Sequence, residues 1–247
     1  MLVIFALLSA VCLAFGQKLW LLGDSTMSNH HVFGFGNHLV MLLDIPIINR
    51  AVPGTSYRTW TASGGFAKVA KDIQPGDYVL LEFGKNDPQS AKQSGDCNTE
   101  GKCGDILTYT QYARKAVQLF KSVEARVIIS GPVPDDMYAF TPIFEWTPSR
   151  FTTFAQNVAL HEGVMFINHE ATTAAWQKDA GRHFVDSCYH DRVHTNAKGA
   201  PYLAGTFVRA LICAHNPLAL RIKIPHDRLP PYCSPDQIPL PDPREVD

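Results

Sequence analysis

Four short blocks hold the residues able to do chemistry. The first, Leu19-Trp20-Leu21-Leu22-Gly23-Asp24-Ser25-Thr26, is an apolar run that breaks at Gly-Asp-Ser, and it reads as a buried strand delivering a serine hydroxyl to a sheet edge. Gly, Asp and Ser are also ordinary residues of a turn or a helix cap. Ser25 therefore becomes a nucleophile only if the chain also supplies a base, an acid to hold that base, and donors for an oxyanion.

Each of these can be sought at another strand end. The run Tyr78 to Phe83 stops at Gly84-Lys85-Asn86-Asp87, where the Asn86 amide can donate to an oxyanion if its strand neighbours that of Ser25. A second run ends Asn49-Arg50-Ala51-Val52-Pro53-Gly54, and a glycine in such a turn lets its N–H approach a reacting carbonyl closely. Gly54 and the Ser25 N–H complete the set of donors. Far along the chain comes Asp191-Arg192-Val193-His194. If this is one helical turn, residues three apart share a face, so Asp191 can accept from His194 Nδ1 and leave Nε2 for Ser25. His183 and His190 lie nearby, and only the Asp-x-x-His spacing separates His194 from them.

The elements that must position these blocks follow from periodicity. Strands are predicted over 18–23, 45–49, 77–83, 126–130 and 164–168, with helical spacing over 35–43, 109–123, 150–161 and 198–213, the last capped by Thr195 or Asn196. Strands alternating with helices and joined by right-handed crossovers make an α/β fold: a five-stranded parallel sheet inside a three-layer sandwich. The polar stretch 87–105 reads as a long loop leaving the third strand. After His215, eight prolines exclude a continuing helix and predict a tail that wraps the surface.

Bulk properties bound the partners. A chain of 247 residues, 46% hydrophobic and 18% charged with net charge -1, is globular and offers no broad basic surface for nucleic acid. Residues 1–16 carry no charged side chain and too short an apolar run to span a bilayer, and Ala14 and Gly16 suit signal peptidase cutting before Gln17. The expected organisation is a signal peptide over 1–16, one domain over 17–215 and a Pro-rich tail over 216–247, in a secreted monomer without a membrane span. Export leaves five cysteines. Cys97 and Cys103 flank a polar loop, while Cys213 ends a helical pattern and Cys233 lies in the tail, which suggests two local staples and leaves Cys188 a buried or idle thiol. No Cys-x-x-Cys or His-Glu-x-x-His spacing calls for zinc.

Taken in order, Gly23-Asp24-Ser25, Gly54, Gly84-x-Asn86-Asp87 and Asp191-x-x-His194 resemble the four blocks of the SGNH (GDSL-type) hydrolases. Gly-Asp-Ser-Thr-Met, Glu82-Phe83-Gly84-x-Asn86-Asp87 and Asp191-x-x-His194-Thr195 are similar, within that family, to fungal rhamnogalacturonan acetylesterases. The resemblance covers about Leu19 to Cys213 and extends to the cysteines, since those enzymes close a loop after the Asn block and tether a C-terminal tail. It implies a flavodoxin-like sandwich that removes acetyl groups from pectic polysaccharide without metal or cofactor. Ser25 carries over as nucleophile, His194 as base and Asp191 as its orienter, with the Ser25 N–H, Gly54 and Asn86 as oxyanion hole.

Two positions depart from the pattern. Lys85 stands where the family has His, so a cation replaces a neutral imidazole; it either meets a galacturonate carboxylate of the polymer or packs its stem on the surface with its head in water. After Gly54 the chain reads Thr55-Ser56-Tyr57-Arg58, of which only Arg58 persists from the family, as a candidate substrate contact. Tyr57, Trp60, Tyr138, Trp146 and Tyr189 fall in loop-like segments, where exposed rings would suit sugar stacking and at least half belong to the core. The rivals are acetylxylan as substrate, a broad short-chain or lipid esterase, and an inactive carbohydrate-binding protein on the same fold.

Overall fold

In the computed structural model, the residues described are 16–28, 33–87, 108–230 and 233. Five parallel strands form one sheet: β1 (Leu19–Gly23), β2 (Ile47–Asn49), β3 (Tyr78–Glu82), β4 (Arg126–Ser130) and β5 (Met165–Ile167), in the order β2-β1-β3-β4-β5. The fourth strand has its expected bounds and the others are one or two residues shorter. The register pairs Leu22 with Leu81 and Gly23 with Glu82, so the ends of β1 and β3 finish level.

Alternation along the strands feeds two cores. Leu19, Leu21, Tyr78, Leu80, Ile128 and Ile167 face one layer. Trp20, Leu22, Val79, Leu81, Val127 and Ile129 face the other. Because both faces are covered, the strands read as continuous apolar runs.

The helices are α1 (Tyr57–Ala62), α2 (Gly65–Ala70), α3 (Tyr109–Ser122), α4 (Arg150–Glu162), α5 (His169–Ala180), α6 (Arg182–Asp186) and α7 (Ala200–Cys213). Local signals set their starts: Thr108 and Gln111 form a reciprocal capping box on α3, Ser149 caps α4, and Gly163 ends α4 at φ 62°. Three expectations need correction. The predicted helix over 35–43 is a 3-10 helix, Phe35–Met41, in which Gly36 is so close to β1 and Met27 that an added Cβ would lie 2.6 Å from the Met27 carbonyl oxygen. Helices α1, α2, α5 and α6 were not foreseen, because three of them have six residues or fewer and α5 is buried nearly all round, which erases its periodicity. The last helix is not capped by Thr195 or Asn196 directly; Asn196 Oδ1 accepts from Lys198 N and Gly199 N in the turn before it.

The chain after α7 is fastened rather than free. Cys213 and Cys233 form a disulfide, Arg209 Nε donates to the Pro230 carbonyl, and Lys223 N donates to the Leu42 carbonyl. Leu218 and Leu229 are buried in the first core. Cys188 is a buried free thiol whose pKa burial pushes up. The Cys97–Cys103 staple, residues 1–15 and the tail end lie outside the described residues. Among the described residues no helix is long and apolar enough to cross a membrane.

Candidate active site

The strand order reverses between β1 and β3. In doubly wound sheets the crevice at such a reversal, beyond the carboxyl ends of the strands, is where ligands bind. Ser25 follows β1 by two residues and Asn86 follows β3 by four, so the first and third blocks meet there. Close approach makes this junction specific: a Cβ at Gly23 would lie 2.7 Å from the Glu82 carbonyl oxygen.

Ser25 is held on a tight turn. Asp24 Oδ1 accepts from Thr26 N at 3.0 Å and from Thr26 Oγ1 at 2.9 Å, while Ser28 N donates to the Asp24 carbonyl. Asp24 itself is buried. Burial drives its carboxyl up to about 6, against the downward pull of the two Thr26 hydrogen bonds and of Lys85.

The second half of the site comes from the hairpin-like loop between α6 and α7. It is closed by an antiparallel bridge between Tyr189 and Thr195, by His190 N donating to the His194 carbonyl, and by Asn196 N donating to the Cys188 carbonyl. The expected helical turn is absent. Asp191 Oδ1 instead accepts from Val193 N at 2.8 Å and His194 N at 2.7 Å, and this side-chain turn brings Asp191 and His194 to one face. Asp191 Oδ2 then meets His194 Nδ1 at 2.8 Å, and His194 Nε2 meets Ser25 Oγ at 2.9 Å. The three groups lie in an unbroken hydrogen-bonded line. Burial acts to raise the Asp191 carboxyl, but the hydrogen bonds from the His194 ring, His194 N and Val193 N outweigh it and bring the pKa down to about 2.

Gly199 fixes where this loop starts and ends. Its Cα is so close to the base of the hairpin that a Cβ would lie 2.1 Å from the Cys188 carbonyl oxygen.

The two oxyanion candidates lie side by side. Val52 N donates to the Gly23 carbonyl, which draws the β2 exit loop toward Ser25, and Gly54 turns there at φ +73°. Asn86 Nδ2 donates to the carbonyl of Thr55, the residue after Gly54, at 3.0 Å. One amide hydrogen of Asn86 thereby tethers the Gly54 turn, and among the described residues nothing accepts the second. Gly84, at φ +144°, gives the bend after β3 and abuts Pro132.

Ser25, Asn86 and His194 open on a cleft of about 530 Å³ whose far wall comes from the segment between β4 and α4. Lys85, from the β3 exit, also lines the cleft, but its head is not in open water: Nζ is 2.6 Å from Asp135 Oδ1 in the far wall. The same carboxylate is 3.1 Å, through Oδ2, from Arg192 Nε. Arg58 is on α1 and is not among the lining residues. Of the five loop aromatics, Tyr57, Trp60, Tyr138 and Tyr189 are core, and only Trp146 lines the cleft.

Asp135 and Glu170 went unnoticed in the sequence because nothing in their spacing links them to the four blocks, and Arg192, although inside the fourth block, because the Asp-x-x-His pattern assigns that position no role. Glu170 is buried, accepts from Ser149 N and Thr152 Oγ1, and has its carboxyl raised by burial against those bonds. Beneath the site, Glu82 Oε2 and His169 Nδ1 pair at 2.9 Å, sealed from solvent, with His169 Nε2 at 2.9 Å from the Leu203 carbonyl. Among the described residues no cluster of three His, Cys, Asp or Glu could hold a metal ion.

Residues 21–200 match the model of the GDSL-like lipase/acylhydrolase family. The chain is 34% identical over 221 residues to the rhamnogalacturonan acetylesterase of Emericella nidulans, a match covering 84% of this chain and 89% of that protein. It is 25% identical over 200 residues to the probable rhamnogalacturonan acetylesterase YesY of Bacillus subtilis, covering 76% and 89%. Among solved structures, the Bacillus subtilis protein YXIM superposes with a TM-score of 0.71 at 23% identity over 82% of this chain, which spans 58% of that chain. Axe2, an acetylxylan esterase from Geobacillus stearothermophilus, superposes at 0.58 with 19% identity, covering 79% and 94%. These two likenesses are of fold.

Proposed function

The chain belongs to the GDSL-like lipase/acylhydrolase family and is a carboxylic ester hydrolase, and from that premise we propose that it removes O-acetyl groups from a plant cell-wall polysaccharide, rhamnogalacturonan first. The observation that carries this reading is the line Ser25 Oγ, His194 Nε2, His194 Nδ1, Asp191 Oδ2, with steps of 2.9 and 2.8 Å, at the mouth of the cleft. The substrate class rests on the 34% identity to a fungal enzyme of that name.

In this mechanism Ser25 Oγ attacks the acetyl carbonyl carbon and its proton passes to His194 Nε2. Asp191 holds Nδ1–H, which keeps the imidazole in the acceptor tautomer and stabilises the imidazolium that forms. The oxyanion takes hydrogen bonds from the Ser25 and Gly54 N–H groups and from Asn86 Nδ2. His194 then returns the proton to the sugar oxygen as the carbon–oxygen bond breaks, leaving acetyl-Ser25 and a free hydroxyl. Water, deprotonated by His194, attacks the acetyl-serine; the bond to Ser25 Oγ breaks, that oxygen takes the proton back from His194, and acetate leaves. The reading includes a monomer, in which one chain supplies every group named.

The reading includes export, with residues 1–16 as leader, 17–215 as the esterase domain and 216–247 as the tail. The Cys213–Cys233 disulfide supports an oxidising compartment. Acetate release across acetylated rhamnogalacturonan, xylan and long-chain esters tests the whole. Ser25→Ala should abolish release and labelling by a fluorophosphonate; activity retained in that variant, or a preference for long acyl chains, would overturn the proposal.

A further inference from the structure

Between the catalytic loop and the cleft wall there is a charge arrangement that the mechanism above leaves unused. Lys85 and Arg192 share one carboxylate, Asp135, at 2.6 and 3.1 Å, so in these ion pairs two cations meet one anion and positive charge is in surplus. Arg192 presents that surplus. Its Nε faces Asp135, its guanidinium carbon lies 5.2 Å over the Phe140 ring, and its side chain is 51% exposed. No described residue accepts a hydrogen bond from its two Nη nitrogens. A guanidinium fixed along one edge and one face, with its remaining edge open, matches the two oxygens of a carboxylate.

Position and surroundings favour a sugar acid. Arg192 lines the cleft with Ser25 and His194, two residues before the latter, and its backbone is anchored because Asp136 N donates to the Arg192 carbonyl. Phe140 is 82% exposed, a large ring left in water beside the guanidinium. Exposed rings at a cleft rim are suited to the apolar face of a pyranose. Arg150 adds a further exposed cation to the lining. Among the described residues the acids lining the cleft are Asp135, already shared, and Glu170, which is occupied by Ser149 and Thr152 and also feels Lys85.

We propose that Arg192, oriented by Asp135 and Phe140, forms a subsite that binds the carboxylate of an acidic sugar residue of the acetylated polymer, with Phe140 as the platform for its ring. The inference rests on the acetylesterase reading and adds the residue that selects acidic over neutral glycans. Lys85 acts through Asp135: by holding that carboxylate it prevents Arg192 from being fully neutralised.

The test compares kcat/KM for acetate release from an acetylated, galacturonate-containing oligosaccharide with that from its carboxyl-reduced counterpart of equal acetyl content. Charge-assisted hydrogen bonding predicts a preference of about tenfold or more for the acidic substrate in the natural enzyme. Arg192→Gln and Lys85→Met should bring the ratio toward one. Asp135→Asn should move it the other way, because the surplus charge grows, whereas a purely structural role for Asp135 would leave it unchanged. Phe140→Ala should weaken both substrates through the lost platform and also lower the ratio, because the ring helps to hold Arg192. A natural ratio near one, an Arg192→Gln ratio equal to the natural one, or a fall with Asp135→Asn would each overturn the subsite. Acetate released equally from both substrates leaves the esterase reading intact, and no release from either overturns both.

Discussion

The two oxygens of Asp191 divide their work on His194: Oδ2 meets the ring at Nδ1, 2.8 Å away, while Oδ1 accepts the backbone N–H of the same residue at 2.7 Å. One carboxylate thus sets both the orientation of the imidazole and the turn that presents it. Asp191→Asn keeps the Oδ1 bonds but can offer Nδ1 a donor in place of the acceptor. Loss of kcat should be on the order of 10³- to 10⁴-fold, measured on a small acetyl ester. Asp191→Ala should also loosen the loop, visible as faster amide exchange at Val193 and His194.

The depressed Asp191 carboxyl has a pH consequence of definite sign. With its folded value near 2, below the ordinary 3.8, its stabilising bonds are present above about pH 4 and are lost only as pH falls toward 2. Activity lost between pH 4 and 7 therefore does not come from protonation of Asp191. An NMR titration of the Asp191 carboxyl with its midpoint above pH 4 would contradict this assignment.

Asp24 has the opposite sign. Its folded value near 6 exceeds 3.8, so the protonated form is favoured by the fold, and stability declines as pH rises from about 4 through 6. At about 1.4 kcal/mol per pH unit, the interval corresponds to on the order of 3 kcal/mol. Asp24→Asn retains an oxygen for Thr26 and cannot ionise. The difference in unfolding free energy between variant and natural protein should grow in favour of the variant across that window, as read by denaturant titration at pH 4, 5, 6 and 7.

Asn86 has one amide hydrogen on the Thr55 carbonyl and one available to an oxyanion. Asn86→Ala should cost on the order of 10² to 10³ in kcat with little change in KM. Asn86→Asp preserves shape but presents an acceptor, so it should be at least as damaging. A large KM effect without loss of kcat would place Asn86 in ground-state binding instead.

The Cys213–Cys233 bridge closes a 20-residue interval, for which chain entropy allows about 3 kcal/mol. Arg209 already fastens the same segment through the Pro230 and His226 carbonyls, so Cys233→Ser should lower stability by no more than that amount. A thermal melt with and without reductant reads the difference directly.

Those parts of the molecule that depend on chain-local chemistry could be read from the residues. The strands announced themselves because each is apolar on both sides, and Ser25, Asn86 and His194 each follow a pattern confined to a few neighbours. What escaped was long-range. Asp135 becomes meaningful only beside Lys85, fifty residues away, and Arg192. His169 finds Glu82 across eighty-seven residues, through a helix whose uniform burial hides its period. The expected helical turn at Asp191 failed for a different reason: spacing of three fits both a helix and a side-chain turn, and the two N–H groups bonded to Oδ1 decide for the latter.

Gly199 touches neither nucleophile nor cleft, yet it determines where the base stands. The hairpin from Cys188 to Asn196 is clasped to the start of the last helix at a point with room for a hydrogen and nothing larger. Any side chain there would pry the clasp open and carry His194 away from Ser25. Selection on catalytic rate therefore reaches a position that a survey of substrate contacts would pass over. An enzyme weakened at residue 199 should fail by drift of its base, with every reactive group still present.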